Sequence, residues 1–145
     1  MAEESYVAHN KAARARLRAL AARLNDNDLI RPLGDEWTVA AVLAHIAFYD
    51  LRALALVQNW ERGEGKPSPL DPDAINAAMQ PLCLAIPPRK AAQMAIAAAD
   101  AVDQKVETLP PEAISAIRAA GNPVNLNRAK HRGEHLEQIE RALEK

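Results

Sequence analysis

Apolar residues in this chain recur every three or four positions, and four stretches hold that pattern long enough to be bundle-length helices. The first runs from about Glu3 to Leu24, with Ala13, Leu17, Leu20 and Leu24 on one stripe. Asn25, Asp26, Asn27 and Asp28 stop it, because their side-chain oxygens compete for the backbone. After a loop through Pro32 and Gly34, Thr38 caps a second helix. Its seam is Val39, Val42, Ile46, Tyr49, Ala53, Leu56 and Trp60, and Gly63 and Gly65 end it. Leu43, Leu51 and Leu54 give this helix a second apolar face, so neighbours enclose it on both sides.

A Gly/Pro/Ser/Lys connector follows, from Gly63 to Leu70. Asp71-Pro72 then starts a short helix carrying Ile75, Met79, Leu82 and Ile86, which Pro81 is expected to kink or split. The third long helix is predicted from Pro88 to Thr108, with Met94, Ala98, Val102 and Leu109 buried, and a short helical turn spans Glu112 to Ala119. The last helix starts between Asn122 and Asn127 and ends near Leu143. Its apolar stripe is Leu126, Ala129, Gly133, Leu136, Ile139 and Leu143. No segment alternates as a strand does. The expectation is an all-α, single-domain four-helix bundle over residues 1–145 with short extra helices.

Composition narrows the function classes. Alanine, leucine, arginine and glutamate dominate, and 145 residues suffice for a core without staples. The lone Cys83 permits no internal disulfide and reads as buried and inert. A net charge of −1 with interspersed signs gives no nucleic-acid footprint. No uninterrupted apolar run approaches the roughly 18 to 20 residues of a membrane span, and the acidic start, Met1-Ala2-Glu3-Glu4-Ser5, is unlike a signal peptide. A cytoplasmic protein with a small-molecule substrate is expected, with neither nucleic-acid nor membrane partner.

Candidate chemistry lies in three of the four histidines. His131 and His135, four apart, share one face of the last helix. At about 100° per residue His45 falls roughly 60° from the centre of its seam, on the shoulder of a buried face. Together the three would make a metal site with open coordination positions, as catalytic zinc sites have. Taken alone, His45 reads as a core-edge histidine and the other two as a surface pair. His135 and His131 lie about 100° and 140° from Leu136, towards the edge of the apolar face. His9 reads as solvated.

Gly34-Asp35-Glu36-Trp37-Thr38-Val39-Ala40-Ala41-Val42-Leu43-Ala44-His45-Ile46-Ala47, with His131-Arg132-Gly133-Glu134-His135-Leu136-Glu137-Gln138-Ile139 much later, resembles the DinB/YfiT-like superfamily over essentially the whole chain. Its relatives include bacillithiol and mycothiol-dependent transferases and the metal-binding half of mycothiol-dependent maleylpyruvate isomerases. The resemblance implies a four-helix bundle with one divalent ion, commonly nickel or zinc, on His45, His131 and His135. Imidazole also suits iron, and manganese is a further candidate. The isomerases usually carry Glu at the first position of the C-terminal pair, so His131 points to the all-histidine group. Family members often form dimers, which makes a homodimer an expectation here.

Two residues near His45 are candidates for catalysis. Tyr49, one turn on, could offer its hydroxyl to substrate, although a core role with a satisfied polar tip is the commoner outcome. Arg52, two turns on, could hold an anion, although an exposed arginine is commoner. Asp50 points some 140° away from His45, and Trp37 reads as a packing anchor. One functional expectation is a metal-dependent thiol S-transferase acting on a small electrophile with a low-molecular-weight thiol cosubstrate. The alternatives are a noncatalytic binding or sequestering protein with structural or vestigial histidines, and a metal-dependent hydrolase, for which no general-base carboxylate stands near the triad.

Overall fold

Four long amphipathic helices bury their apolar stripes against one another in the computed structural model, which describes residues 2–144, with side chains from residue 6 onwards. They are α1 (Ala2–Arg23), α3 (Val39–Glu61), α5 (Pro88–Glu107) and α7 (Ala129–Leu143). Shorter helices fill the connections: α2 (Asp26–Leu29), α4 (Pro72–Ala85) and α6 (Pro111–Ala119). The expected all-α bundle is thus the observed fold. Helix α3 is central and packs most extensively on α5, whose Ala91, Ala92, Ala95 and Ala99 are buried and let the two backbones approach closely.

Helix α3 is, by length and composition, long and apolar enough to cross a membrane. Asp50 and Arg52 fall within it, so no uninterrupted apolar run of that length is present in this helix. Here its surface serves as the core of the bundle, with 61% of the most apolar window buried. Thr38 caps it as expected, its Oγ1 accepting from the Ala41 N–H at 3.1 Å.

Several local expectations are corrected. The Asn25–Asp28 run does more than stop α1: Asn25 and Asp28 form a reciprocal capping box that starts α2. The loop after it contains a two-stranded antiparallel ribbon, β1 (Pro32–Gly34) with β2 (Trp37–Thr38), where no strand was expected. Five residues are too few to show alternation. The ribbon turns through Asp35 (φ 50°) and Glu36 (φ 67°), both left-handed without being glycine. Helix α4 is not split at Pro81 but runs through it; both Pro81 and Ala77, whose carbonyl loses its donor, are exposed.

Helix α7 begins at Ala129, later than expected. The preceding residues are held in side-chain turns instead: Asn125 Oδ1 accepts from the Asn127 N–H and Asn127 Oδ1 from the Ala129 N–H, both at 3.0 Å. Asn10 of α1, itself buried, accepts from the Arg128 N–H at 2.7 Å and donates to the Leu126 carbonyl at 2.9 Å.

The core consists of two apolar clusters. One gathers Leu17, Leu43, Ile46, Leu136 and Ile139, and the other Val57, Val102, Val106, Ile117 and Leu126. Charged side chains lie between them. Arg132 is fully buried, donating from Nε to Asp50 at 2.8 Å and from both terminal nitrogens to Asp103 at 2.7 and 2.9 Å. Arg128 adds a bond to Asp50 at 3.0 Å, and Arg14 one to Asp103 at 3.0 Å. Burial pulls the Arg132 pKa down, but its hydrogen bonds to Asp103 and Asp50 and their charges outweigh that and leave it raised. These ions join α1, α3, α5 and α7 in one layer.

Candidate metal centre

The capped start of α3 sets the rotation of its first turns, so Val42, His45 and Tyr49 face α7 across a cleft. His45 is 7% exposed. From α7, His131 and His135 meet it, with ring centroids 5.2 and 4.6 Å from that of His45 and 4.7 Å from each other. One ligand atom from each of the three lies within 4.8 Å of the others. The Nε2 atoms of His45 and His131 are 3.3 Å apart. Two nitrogens each about 2.0 to 2.1 Å from a common ion in tetrahedral geometry would stand about 3.3 Å apart, so the spacing of this pair matches that of two ligands on one ion.

The other ring nitrogens differ. His135 Nδ1 is 3.1 Å from Gln138 Oε1; as a donor there it leaves Nε2 with its lone pair free. His45 Nδ1 and His131 Nδ1 are buried and without a partner. Burial lowers the His45 pKa to about 4, helped by the nearby His135; burial also lowers His131 to about 3, helped by His135, His45, Arg128 and Arg132. Both rings are therefore neutral near pH 7, the form in which imidazole ligates metals.

His131 is half-buried, at the edge of the apolar face as expected, with its Nδ1 inside. The apolar stripe of α7 centres near Leu136, but the observed buried face also includes Arg132 and Ile139, with Arg128 just before the helix, and this moves its centre about 45° towards the histidines. Arg128 and Arg132 carry no sign of burial in their own spacing, since an arginine on a helix is most often exposed. A signal was available: Asp50 and Asp103 occupy the buried faces of their own helices, and unpaired buried carboxylates demand cations.

Trp37, Val42, Tyr49, Leu70, Pro72, Asn76 and Gln138 complete a cleft of about 450 Å³ around the three imidazoles. Trp37, expected to be a packing anchor, packs on the core but also sets its ring edge-on to His45, with centroids 5.6 Å apart. Tyr49 faces His45 and His131, and its hydroxyl donates to Asn76 Oδ1 at 2.9 Å. Burial raises the Tyr49 pKa, with Arg52 opposing, so the hydroxyl keeps its proton. Arg52 does not line the cleft; its guanidinium donates to the Ser68 carbonyl. Gln138 belongs to the motif that carries the family resemblance and stands one turn after His135, whereas Asn76 carried no signal and its place follows from α4 lying over the cleft.

His9 is exposed, beside Asn127, and Cys83 is buried with its thiol pKa raised by burial. Beyond Gln138 the cleft adjoins a second groove of about 760 Å³ lined by Arg31, Glu134, Glu137 and Arg141 among others.

The fold and this cluster define an all-helical bundle with a three-histidine group able to hold a metal ion between two of its long helices. A family model described as the DinB superfamily matches residues 9–139, and the chain belongs to that superfamily. No curated protein and no solved structure matches it.

Proposed function

We propose that this protein is a divalent-metal-dependent thiol S-transferase that joins a low-molecular-weight thiol to a small electrophile, with His45, His131 and His135 as the metal ligands. The observation that carries the proposal is the convergence of three imidazoles in an open cleft whose lining contains no carboxylate. The carboxylate base that many metal-dependent hydrolases use to activate water is absent from this lining, whereas a thiol, being far more acidic than water, needs none once a cation stands beside it. Imidazole donors suit nickel and zinc, the ions that the superfamily resemblance implies; when bound, either would hold the thiol as thiolate and polarise the electrophile.

The chain's own residues do the rest. Neutral His45 and His131 offer lone pairs, and Gln138 orients His135. Tyr49 keeps its proton and donates it in a hydrogen bond to Asn76 Oδ1, which orients the Asn76 amide at the edge of the cleft. The adjoining groove, with two arginines and two glutamates, offers a polar seat for the body of the thiol.

Protein prepared without an affinity tag should take up about one equivalent of nickel or zinc, and His135→Ala should abolish uptake. Metal-loaded protein should then consume thiol with a panel of electrophiles, and the variant should not. Full metal occupancy in His135→Ala would refute the ligand set. A second reading, a binding protein without catalysis, draws on the unpartnered His45 Nδ1 and His131 Nδ1, since metal-bound histidines usually donate from that position. Failure of the wild type to take up any of nickel, zinc, iron or manganese would favour it.

A further inference from the structure

We infer that the cleft beside the three imidazoles is built for a molecule with an uncharged, mainly apolar body carrying a hydrogen-bond acceptor, which Asn76 and Gln138 receive through their amide N–H groups. The inference deepens the proposed function, on which its catalytic meaning rests, by naming the substrate class.

The walls carry the first part. Trp37, Val42, Leu70 and Pro72 are apolar, and no Asp, Glu, Lys or Arg lines the cleft. An ion placed against these walls would lose water and gain no counter-charge. Three arginines of α3 and the start of α7 are committed elsewhere: Arg52 to the Ser68 carbonyl, Arg128 and Arg132 to the carboxylates of the core. The contrast with the neighbouring groove, which does hold arginines and glutamates, shows that charge is excluded from one side of Gln138 and admitted on the other. At about 450 Å³ the cleft is at the small end of the range for ligand pockets.

The polar tips carry the second part. Asn76 Oδ1 accepts from the Tyr49 hydroxyl, and Gln138 Oε1 is paired with His135 Nδ1. Each amide therefore spends its oxygen within the protein and retains its NH2 group for a ligand. Two donors on an otherwise apolar wall complement a carbonyl, ether or similar acceptor. Asn76 is half-buried and Gln138 exposed, so a ligand that covers them without accepting would strip water from both donors, which disfavours a plain hydrocarbon of the same shape.

Trp37 lines the cleft and reports on it. In the Trp60→Phe background it is the sole tryptophan, since the chain has two. Chelator-treated protein in this background is titrated with benzamide, benzoate, benzylammonium and toluene, following Trp37 emission. Benzamide should bind saturably, at least ten-fold more tightly than benzoate or benzylammonium and several-fold more tightly than toluene. The double variant Asn76→Leu/Gln138→Leu should lose the advantage over toluene while still binding toluene. Charged probes binding as tightly as benzamide would overturn the inference, as would an unchanged benzamide preference in the double variant or no saturable response at all. The probes are neither thiols nor electrophiles and the protein is metal-free. A failed metal or transferase assay therefore leaves this result standing, and a failed titration leaves the transferase question open.

Discussion

Arg132 shows how far single residues were legible. Its neighbours His131 and His135 stood out by type and spacing, yet Arg132 reads as an ordinary surface residue until Asp50 and Asp103 are seen to need a cation. Removing it should be expensive, because two buried carboxylates would each lose a hydrogen-bonded partner. Arg132→Met is expected to lower unfolding free energy by about 3 to 5 kcal/mol, measured by urea denaturation; a change under about 1 kcal/mol would mean that Arg128 and Arg14 suffice for the carboxylates. The histidines give a pH dependence. Their folded pKa values, about 4 for His45 and about 3 for His131, lie below the ordinary 6.5, so below pH 6.5 the unfolded chain binds more protons. The stability of the metal-free protein attributable to them is therefore complete above pH 6.5 and is lost progressively as pH falls towards those values. His131→Gln should flatten the dependence of the urea midpoint between pH 7 and 5, and an identical slope in both proteins would contradict the assignment.

Among the elements, the helices were readable where their apolar spacing and caps agree, as at Thr38 for α3 and at Asp71-Pro72 for α4. What escaped was structure stabilised by single side-chain bonds or by contacts distant in sequence: the capping box of α2, the asparagine turns before α7 and the β ribbon. That ribbon holds Trp37 over His45 and turns through two left-handed non-glycine residues, while Gln80 of α4 donates to the Asp35 carbonyl at 2.7 Å. A left-handed conformation costs an L-residue roughly 1 to 2 kcal/mol. Glu36→Gly is thus expected to raise stability by about 0.5 to 1 kcal/mol, part of the relief being offset by the greater entropy of glycine in the unfolded chain. Thermal unfolding of the two proteins compares them directly, and a lower melting temperature for Glu36→Gly would show that the glutamate makes up for the conformation in another way.

For the molecule as a whole, the bundle was legible in the stripes and the site in the histidines, whereas the cleft walls were not, because they come from α4 and the ribbon as much as from α3 and α7. The proposed metal would cross-link α3 to α7, and any ligand binding only the folded state raises stability by mass action, by about 2.7 kcal/mol at a hundred times the dissociation constant. Nickel or zinc should accordingly raise the melting temperature of the wild type and leave that of His135→Ala unmoved. The ionic layer has a further consequence, for the order of events as the chain is made. Asp50 and Asp103 leave the ribosome before Arg128 and Arg132, and Arg132 lies 82 residues after the first of these acids. Until α7 arrives, Asp50 lacks both of its arginines and Asp103 has only Arg14, although both acids lie on faces that must become core. Closure of the bundle therefore waits for α7, which also delivers two of the three imidazoles. An immature chain holds no assembled triad, so metal capture belongs to the finished protein.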